Sequence, residues 1–177
     1  MSAVTIESVA RSSFAPTLQS LAAILDKASA FADSSGADLV NARLAPDMYT
    51  LAQQVQIACY FPVDAFERLT GGTPPASMGE PETSIAGFKA QISGTLERIA
   101  AVPAAAFEGA EERDCSIDIP GGGNVIAMNG SQYLLRWALP HFYFHAVTAY
   151  DILRHAGLGI GKQDYLSSLA GFIRPKG

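Results

Sequence analysis

The sequence predicts an all-α fold, an antiparallel four-helix bundle with a small β-hairpin inserted before the last long helix. One observation behind this prediction is a set of long segments in which apolar residues recur at steps of three and four, which places them on one helix face. Another is the modest length of the connections, as between antiparallel neighbours in bundles. The chain of 177 residues has the size of one domain, and we expect a single domain over residues 1–177.

The first helix is predicted over residues 5–33. Its apolar stripe consists of Phe14, Leu18, Leu21, Leu25 and Ala28. Pro16 lies inside this pattern, and because proline cannot donate a backbone hydrogen bond, we expect it to kink the helix or to mark its true start. The stretch SSGAD at 34–38 ends the pattern.

The second helix is predicted to begin at Asp47, whose carboxylate can accept hydrogen bonds from the free N–H groups of a first turn. Its stripe consists of Met48, Leu51, Val55, Ala58, Pro62, Phe66 and Leu69. Gly71 and Gly72 end the helix. A third helix starts near Thr83, with a stripe made of Ile85, Phe88, Ile92, Leu96 and Ile99.

Residues 113–128 are predicted to form a β-hairpin, because Cys115, Ile117 and Ile119 alternate with polar residues before three glycines at 121–123. A phosphate-binding glycine loop is the alternative, but neither Lys-Ser/Thr nor a helix follows at the required distance. The fourth helix is predicted over residues 131–155 and is apolar on nearly all sides, as in the interior of a bundle.

Composition excludes several classes of protein. The formal net charge of −5 and the lack of any basic run argue against nucleic-acid binding, which needs clustered Lys and Arg. No segment reaches the roughly 20 uninterrupted apolar residues that span a bilayer, so we expect no membrane-spanning helix and no membrane partner. The N-terminus does not resemble a signal peptide, and Cys59 and Cys115 are interpreted as reduced thiols. The expected location is the cytoplasm.

Two histidines, His141 and His145, lie one turn apart on the fourth predicted helix. With Arg136 as the zero of angle and about 100° per residue, they fall at about 140° and 180°. Polar side chains cluster within about 40° of zero, namely Gln132, Tyr143, Tyr150 and Arg154. Both imidazoles are therefore predicted to point inward, where such a pair can bind one metal ion. The alternative is a neutral core histidine hydrogen-bonded to a carbonyl or a carboxylate.

A metal site needs further ligands, and the chain has only three histidines. His155 lies roughly 80° around the helix from His145 and nearly three turns along it, so it cannot join the same ion. The candidates for a third ligand are Asp47 and Cys59, both on the second predicted helix.

Two segments resemble a bacterial family known as domain of unknown function number 1993. They are LAPDMYTLAQQVQIAC at 44–59 and FYFHAVTAYDILRHAGLGIGKQDYL at 142–166, and the opening helix with LAAILDKASAFA at 21–32 is similar as well. The family is similar in fold to the DinB/YfiT-like four-helix bundles. That resemblance implies a homodimer and a divalent metal, zinc or nickel, in a hydrolase or a thiol-dependent transferase.

In that group the metal is held by three histidines, one on the second helix and two from an H-x-x-x-H on the last. His141 and His145 match the H-x-x-x-H, whereas residues 47–69 contain no histidine. Composition therefore excludes a standard three-histidine site, and the resemblance leaves His145, His141 and Asp47 as the metal ligands. The rival hypothesis is a non-catalytic bundle that binds a small apolar ligand or another subunit. Its pocket would be lined by Tyr49, Trp137 and Phe144.

Overall fold

The computed structural model describes residues 4–119 and 121–176, and its main elements are four long helical segments. They are α1 (Ile6–Ser35), α2 (Leu51–Thr70), α3 (Ile85–Ala101) and a last segment built from α4 (Gly130–Tyr133), a π-helical turn (Leu134–Ala138) and α5 (Leu139–His155). The smaller elements are β1 (Ile117–Asp118), β2 (Val125–Ile126), α6 (Lys162–Tyr165) and two 3₁₀ turns (Ala104–Phe107 and Ser167–Phe172). The predicted bundle with its inserted hairpin is confirmed.

The four long segments form a closed ring of neighbours. Helix α2 packs against α3 and α5, and α1 packs against the same two helices from the opposite side. The predicted α1 stripe forms the middle of the core, since all five of its members are at most 3% exposed. Phe14 of α1 meets Phe142 of α5 edge to face with ring centroids 4.9 Å apart. No helix within the described ranges combines the length and the apolarity that a membrane crossing requires.

The start of α2 differs from the sequence prediction. Asp47 is exposed and precedes the helix, and the N-terminal cap is Thr50, whose hydroxyl accepts from the Gln53 N–H while the Gln53 side chain accepts from the Thr50 N–H. This reciprocal Thr-x-x-Gln arrangement satisfies two free donors, which a lone aspartate three residues earlier does not. In α1, Pro16 lies inside one continuous helix and does not mark its start.

The hairpin takes its predicted place before α4. Ile117 pairs with Ile126 and Asp118 with Val125 in antiparallel register. All three glycines at 121–123 have positive φ angles, between 86° and 101°, which explains why glycine occupies this turn.

The last long helix is interrupted by a wide turn just before the histidine pair. The Leu139 N–H donates to the Leu134 carbonyl, five residues back, where an α-helix would use a spacing of four. Pro140 follows at once, and it has no N–H for the Arg136 carbonyl and would crowd that carbonyl in a regular helix. The wide turn thus accommodates Pro140 and rotates α5 relative to α4.

A buried polar cluster, which we call the Asp64 cluster, links α2 to Tyr133, the last residue of α4 before the wide turn. Asp64 is 2% exposed and accepts hydrogen bonds from the Tyr133 hydroxyl, from Tyr60 and from Arg68 Nε at 3.1 Å. Burial, and then the Asp64 charge, raises the pKa of the Tyr133 hydroxyl, so Tyr133 stays a donor to the carboxylate. The cluster therefore joins α2 to α4 by a buried hydrogen bond, one segment before the α5 helix that carries the histidine pair.

Candidate functional site

His145 is a buried side chain of α5 that faces α2. Its Nδ1 lies 2.7 Å from Oε1 of Gln54, itself only 1% exposed. The Gln54 amide nitrogen donates to the Tyr49 carbonyl, 3.4 Å away, which turns Oε1 toward the imidazole. Since a carbonyl oxygen can only accept, Nδ1 of His145 carries the proton, and Nε2 of the neutral ring keeps a free lone pair.

His141 lies one turn earlier and is half-buried. Its Nδ1 is 2.7 Å from the Trp137 backbone carbonyl, so this nitrogen also carries a proton and donates it. The Nε2 atom of His141 therefore has the same free lone pair as that of His145. Two carbonyls, one from a side chain and one from the backbone, hold two neighbouring imidazoles in the same tautomer.

Aromatic rings enclose the two imidazoles. Phe61 of α2 lies nearly parallel to both, with ring centroids 4.9 Å from His141 and 6.4 Å from His145 and interplanar angles of 24° and 12°. Trp137 lies 4.4 Å from the His141 ring, and Phe144 meets the His145 ring edge to face at 5.2 Å. Both imidazoles are thus constrained by packing, which limits the orientations that either ring can adopt.

The charged form of His145 is disfavoured. Burial, and then the nearby charge of His141, lowers the pKa of His145 from 6.5 to about 4. At neutral pH His145 is consequently the uncharged imidazole, the form of histidine that binds metal ions.

This shift predicts a pH dependence of stability. The unfolded chain takes up a proton at His145 near pH 6.5, whereas the folded protein does so only near pH 4, so stability falls as the pH is lowered through this window. We expect a loss of about 2 kcal/mol from this group, less than the full shift implies because the ring keeps some solvent contact. Urea titrations at pH 7 and pH 4.5 measure it in the wild type and in His145→Gln.

In His145→Gln the difference in free energy of unfolding between pH 7 and pH 4.5 should shrink by that amount. The exposed His155 of the same helix supplies the matched control, His155→Gln, which should behave as wild type. An unchanged pH dependence in His145→Gln would show that His145 does not titrate in this way.

The two residues expected to supply a third metal ligand, Asp47 and Cys59, do not form a ligand group with the histidine pair. Asp47 is exposed in the turn before α2, and Cys59 is buried beside Thr95 of α3, where burial raises its thiol pKa to about 12. Across residues 4–119 and 121–176, no group of three or more His, Cys, Asp or Glu side chains could hold a metal ion. The described residues therefore offer the imidazoles of His141 and His145 as two neighbouring nitrogen donors, and they do not fit a site with three such protein ligands.

The structure brings together more of the site than the sequence predicted. Of the three expected pocket residues, Trp137 and Phe144 touch the imidazoles, whereas Tyr49 contributes its backbone carbonyl and leaves its ring exposed. Sequence reasoning missed Gln54 and Phe61, the α2 partners of the pair. The sequence held no usable signal for Gln54, because Gln53 and Gln56 lie on either side of it and no local pattern distinguishes the three glutamines.

The comparisons with known proteins agree with this fold. The model of the family described as Domain of unknown function (DUF1993) matches residues 8–166. A solved structure, the crystal structure of a DinB family member protein from Shewanella denitrificans at 1.83 Å resolution, is 37% identical to this chain. The alignment covers 86% of each chain with a TM-score of 0.74. No curated protein matches.

Proposed function

The chain belongs to the family of the Domain of unknown function (DUF1993), and from that premise we propose that His141 and His145 together bind one divalent transition-metal ion through their Nε2 atoms. The solved DinB family member shares the bundle. The resemblance to the DinB-like group, in which an H-x-x-x-H on the last helix binds metal, supports the same pair. Zinc and nickel are the expected ions, since imidazole suits both.

One observation carries this proposal: both Nδ1 atoms donate to carbonyl oxygens, from Trp137 and Gln54, at 2.7 Å. Histidines that ligate metals almost always donate their other ring N–H to such an acceptor, which fixes the ring and raises the basicity of the ligating nitrogen. The contact between His145 and Gln54 crosses from α5 to α2, so it depends on tertiary structure and is not a local feature of one helix.

The proposed site has two protein ligands, and its other positions are open to water or to a substrate. Ion binding there would lower the pKa of a coordinated water and make hydroxide available for hydrolysis or for activation of a thiol. This chain's residues would hold the two imidazoles in one tautomer and exclude water from their faces with Phe61 and Trp137. A hydrolase or a thiol-dependent transferase is the reaction class that this arrangement supports best.

Isothermal titration of untagged protein with Ni²⁺ or Zn²⁺ at pH 7.5 tests the proposal. We expect one ion per chain, and we expect His141→Ala and His145→Ala each to weaken binding by about 100-fold or more, since each removes one of two ligands. His155→Ala is the matched control and should bind as wild type does, because His155 is exposed at the far end of α5.

The rival hypothesis, a non-catalytic bundle with the two histidines as core residues, expects a different result. Under that hypothesis the wild type does not bind the metal ion stoichiometrically, or both alanine variants bind it as well as the wild type does. Either outcome would refute the metal site.

The homodimer and the cytoplasmic location stay predictions. Phe144 and Val147 are exposed on the outer side of α5, and we propose them for contact with a second copy.

A further inference from the structure

A separate groove lies beside α1, between α6 and the 3₁₀ turn Ser167–Phe172, where the Ser167 hydroxyl is 2.7 Å from that of Ser20 in the middle of α1. Its volume is about 480 Å³, within the range of small-molecule pockets. Leu166, Leu169 and Ile173 form its apolar wall, and Lys162 also lines it. The family match ends at residue 166, so most of this wall lies beyond the part of the chain that matches the family.

The apolar side chains of this region are unusually open to solvent. Leu169 is 52% exposed, and Phe172 and Ile173 are 77% and 75% exposed. Single exposed apolar residues are ordinary on protein surfaces, whereas several that adjoin a concave groove typically mark a binding site.

The charge around the groove is opposite to that of the chain as a whole. Residues 162–176 carry three cations, Lys162, Arg174 and Lys176, and a single carboxylate, Asp164. That carboxylate is already paired with Lys27 of α1, at 2.5 Å. Lys162 is the one charged residue among the described residues that line the groove, so in a chain with a formal net charge of −5 the groove wall itself carries a positive charge.

We infer that this groove binds an anionic amphiphile of the fatty-acid class, with its chain along Leu166, Leu169 and Ile173 and its carboxylate at Lys162. Each methylene that enters the groove adds hydrophobic stabilisation, and the ammonium group selects the charged end. A concave groove of this volume suits one free amphiphile, whereas a bilayer surface would require a flatter apolar face.

Fluorescence titration with 11-(dansylamino)undecanoic acid, followed by displacement with laurate below its micellar concentration, tests this inference. We expect saturable binding of one probe per chain. Leu169→Asp should weaken it by about tenfold or more, because it places a repelling charge in the apolar wall. Val125→Asp is the matched control, since Val125 is equally exposed at 52% but lies in β2, and it should leave binding unchanged.

The role of Lys162 is tested with a neutral competitor. Lys162→Glu should raise the dissociation constant of laurate, obtained from the displacement curve, about fivefold or more. It should leave the dissociation constant of 1-dodecanol nearly unchanged. Equal losses for both competitors, or equal effects of Leu169→Asp and Val125→Asp, would overturn the inference. So would co-sedimentation with phosphatidylcholine vesicles containing phosphatidylglycerol in the absence of laurate binding. His145→Ala should bind the probe normally, so this result is independent of the metal site.

Discussion

Replacing Asp64 with alanine is expected to lower the free energy of unfolding by about 3–5 kcal/mol. The substitution removes an almost fully buried carboxylate that accepts from Tyr133, Tyr60 and Arg68. The Tyr133 side chain is 0% exposed, so its hydroxyl would lose its partner without gaining water. The Arg68 guanidinium, which stacks over the Tyr133 ring with its central carbon 5.8 Å from the centroid, would lose its counter-charge.

Chemical denaturation monitored by circular dichroism measures this effect. Asp26→Ala is the matched control, because Asp26 forms an exposed ion pair with Lys89 and should cost less than about 1 kcal/mol. Tyr133→Phe removes one hydrogen bond and keeps the ring, so we expect a smaller loss of about 1–2 kcal/mol. If Asp64→Ala proved as mild as Asp26→Ala, the Asp64 cluster would not be what holds α2 against the last helix.

Gly130→Ala is the second substitution with a large expected effect, a loss of about 3 kcal/mol or more. Gly130 is buried at the first position of α4, and a Cβ added there would lie 1.9 Å from the Ala110 carbonyl oxygen and 3.0 Å from Leu69 Cδ2. The obstacle is backbone on one side and core on the other, so relief requires the start of α4 to move away from the loop that precedes the hairpin.

The same denaturation experiment has an internal reference in Gly94, a glycine inside α3 where an added Cβ would meet no atom within 4 Å. Gly94→Ala should stabilise the protein by about 0.5–1 kcal/mol, because alanine has the higher helix propensity and no contact opposes it. Gly130→Ala and Gly94→Ala thus have opposite expected signs. A neutral Gly130→Ala would show that the close approach of Ala110 to α4 relaxes freely.

The helices could be predicted because their stripes repeat without interruption. Phe14, Leu18 and Leu25 all lie at 0% exposure, and the hairpin was marked by its three glycines. The inward direction of His145 also followed from helix geometry and agrees with its burial, whereas His141 is only half-buried. The angle estimate assumed a regular helix through Pro140, and the wide turn before that proline changes the phase.

The start of α2 and the partners of the histidines were harder to predict for a physical reason. Aspartate is on average the better N-terminal cap, and only the Gln53 side chain, which returns to Thr50, favours the threonine position. Gln54 contacts His145, which lies 91 positions later in the sequence, and Asp64 contacts Tyr133, which lies 69 positions later. Such contacts depend on the register between α2 and the last helix, which no local pattern encodes.

Long-range ¹H–¹⁵N NMR of histidine-labelled protein asks directly whether both Nε2 atoms carry free lone pairs that can bind one shared ion. We expect His141 and His145 both to be protonated at Nδ1 in the apo-protein at pH 7, because each Nδ1 donates to a carbonyl oxygen. One equivalent of Zn²⁺ should then shift both Nε2 resonances together and leave His155 unchanged. A proton on either Nε2, or a shift of only one of the two rings, would contradict the proposed site.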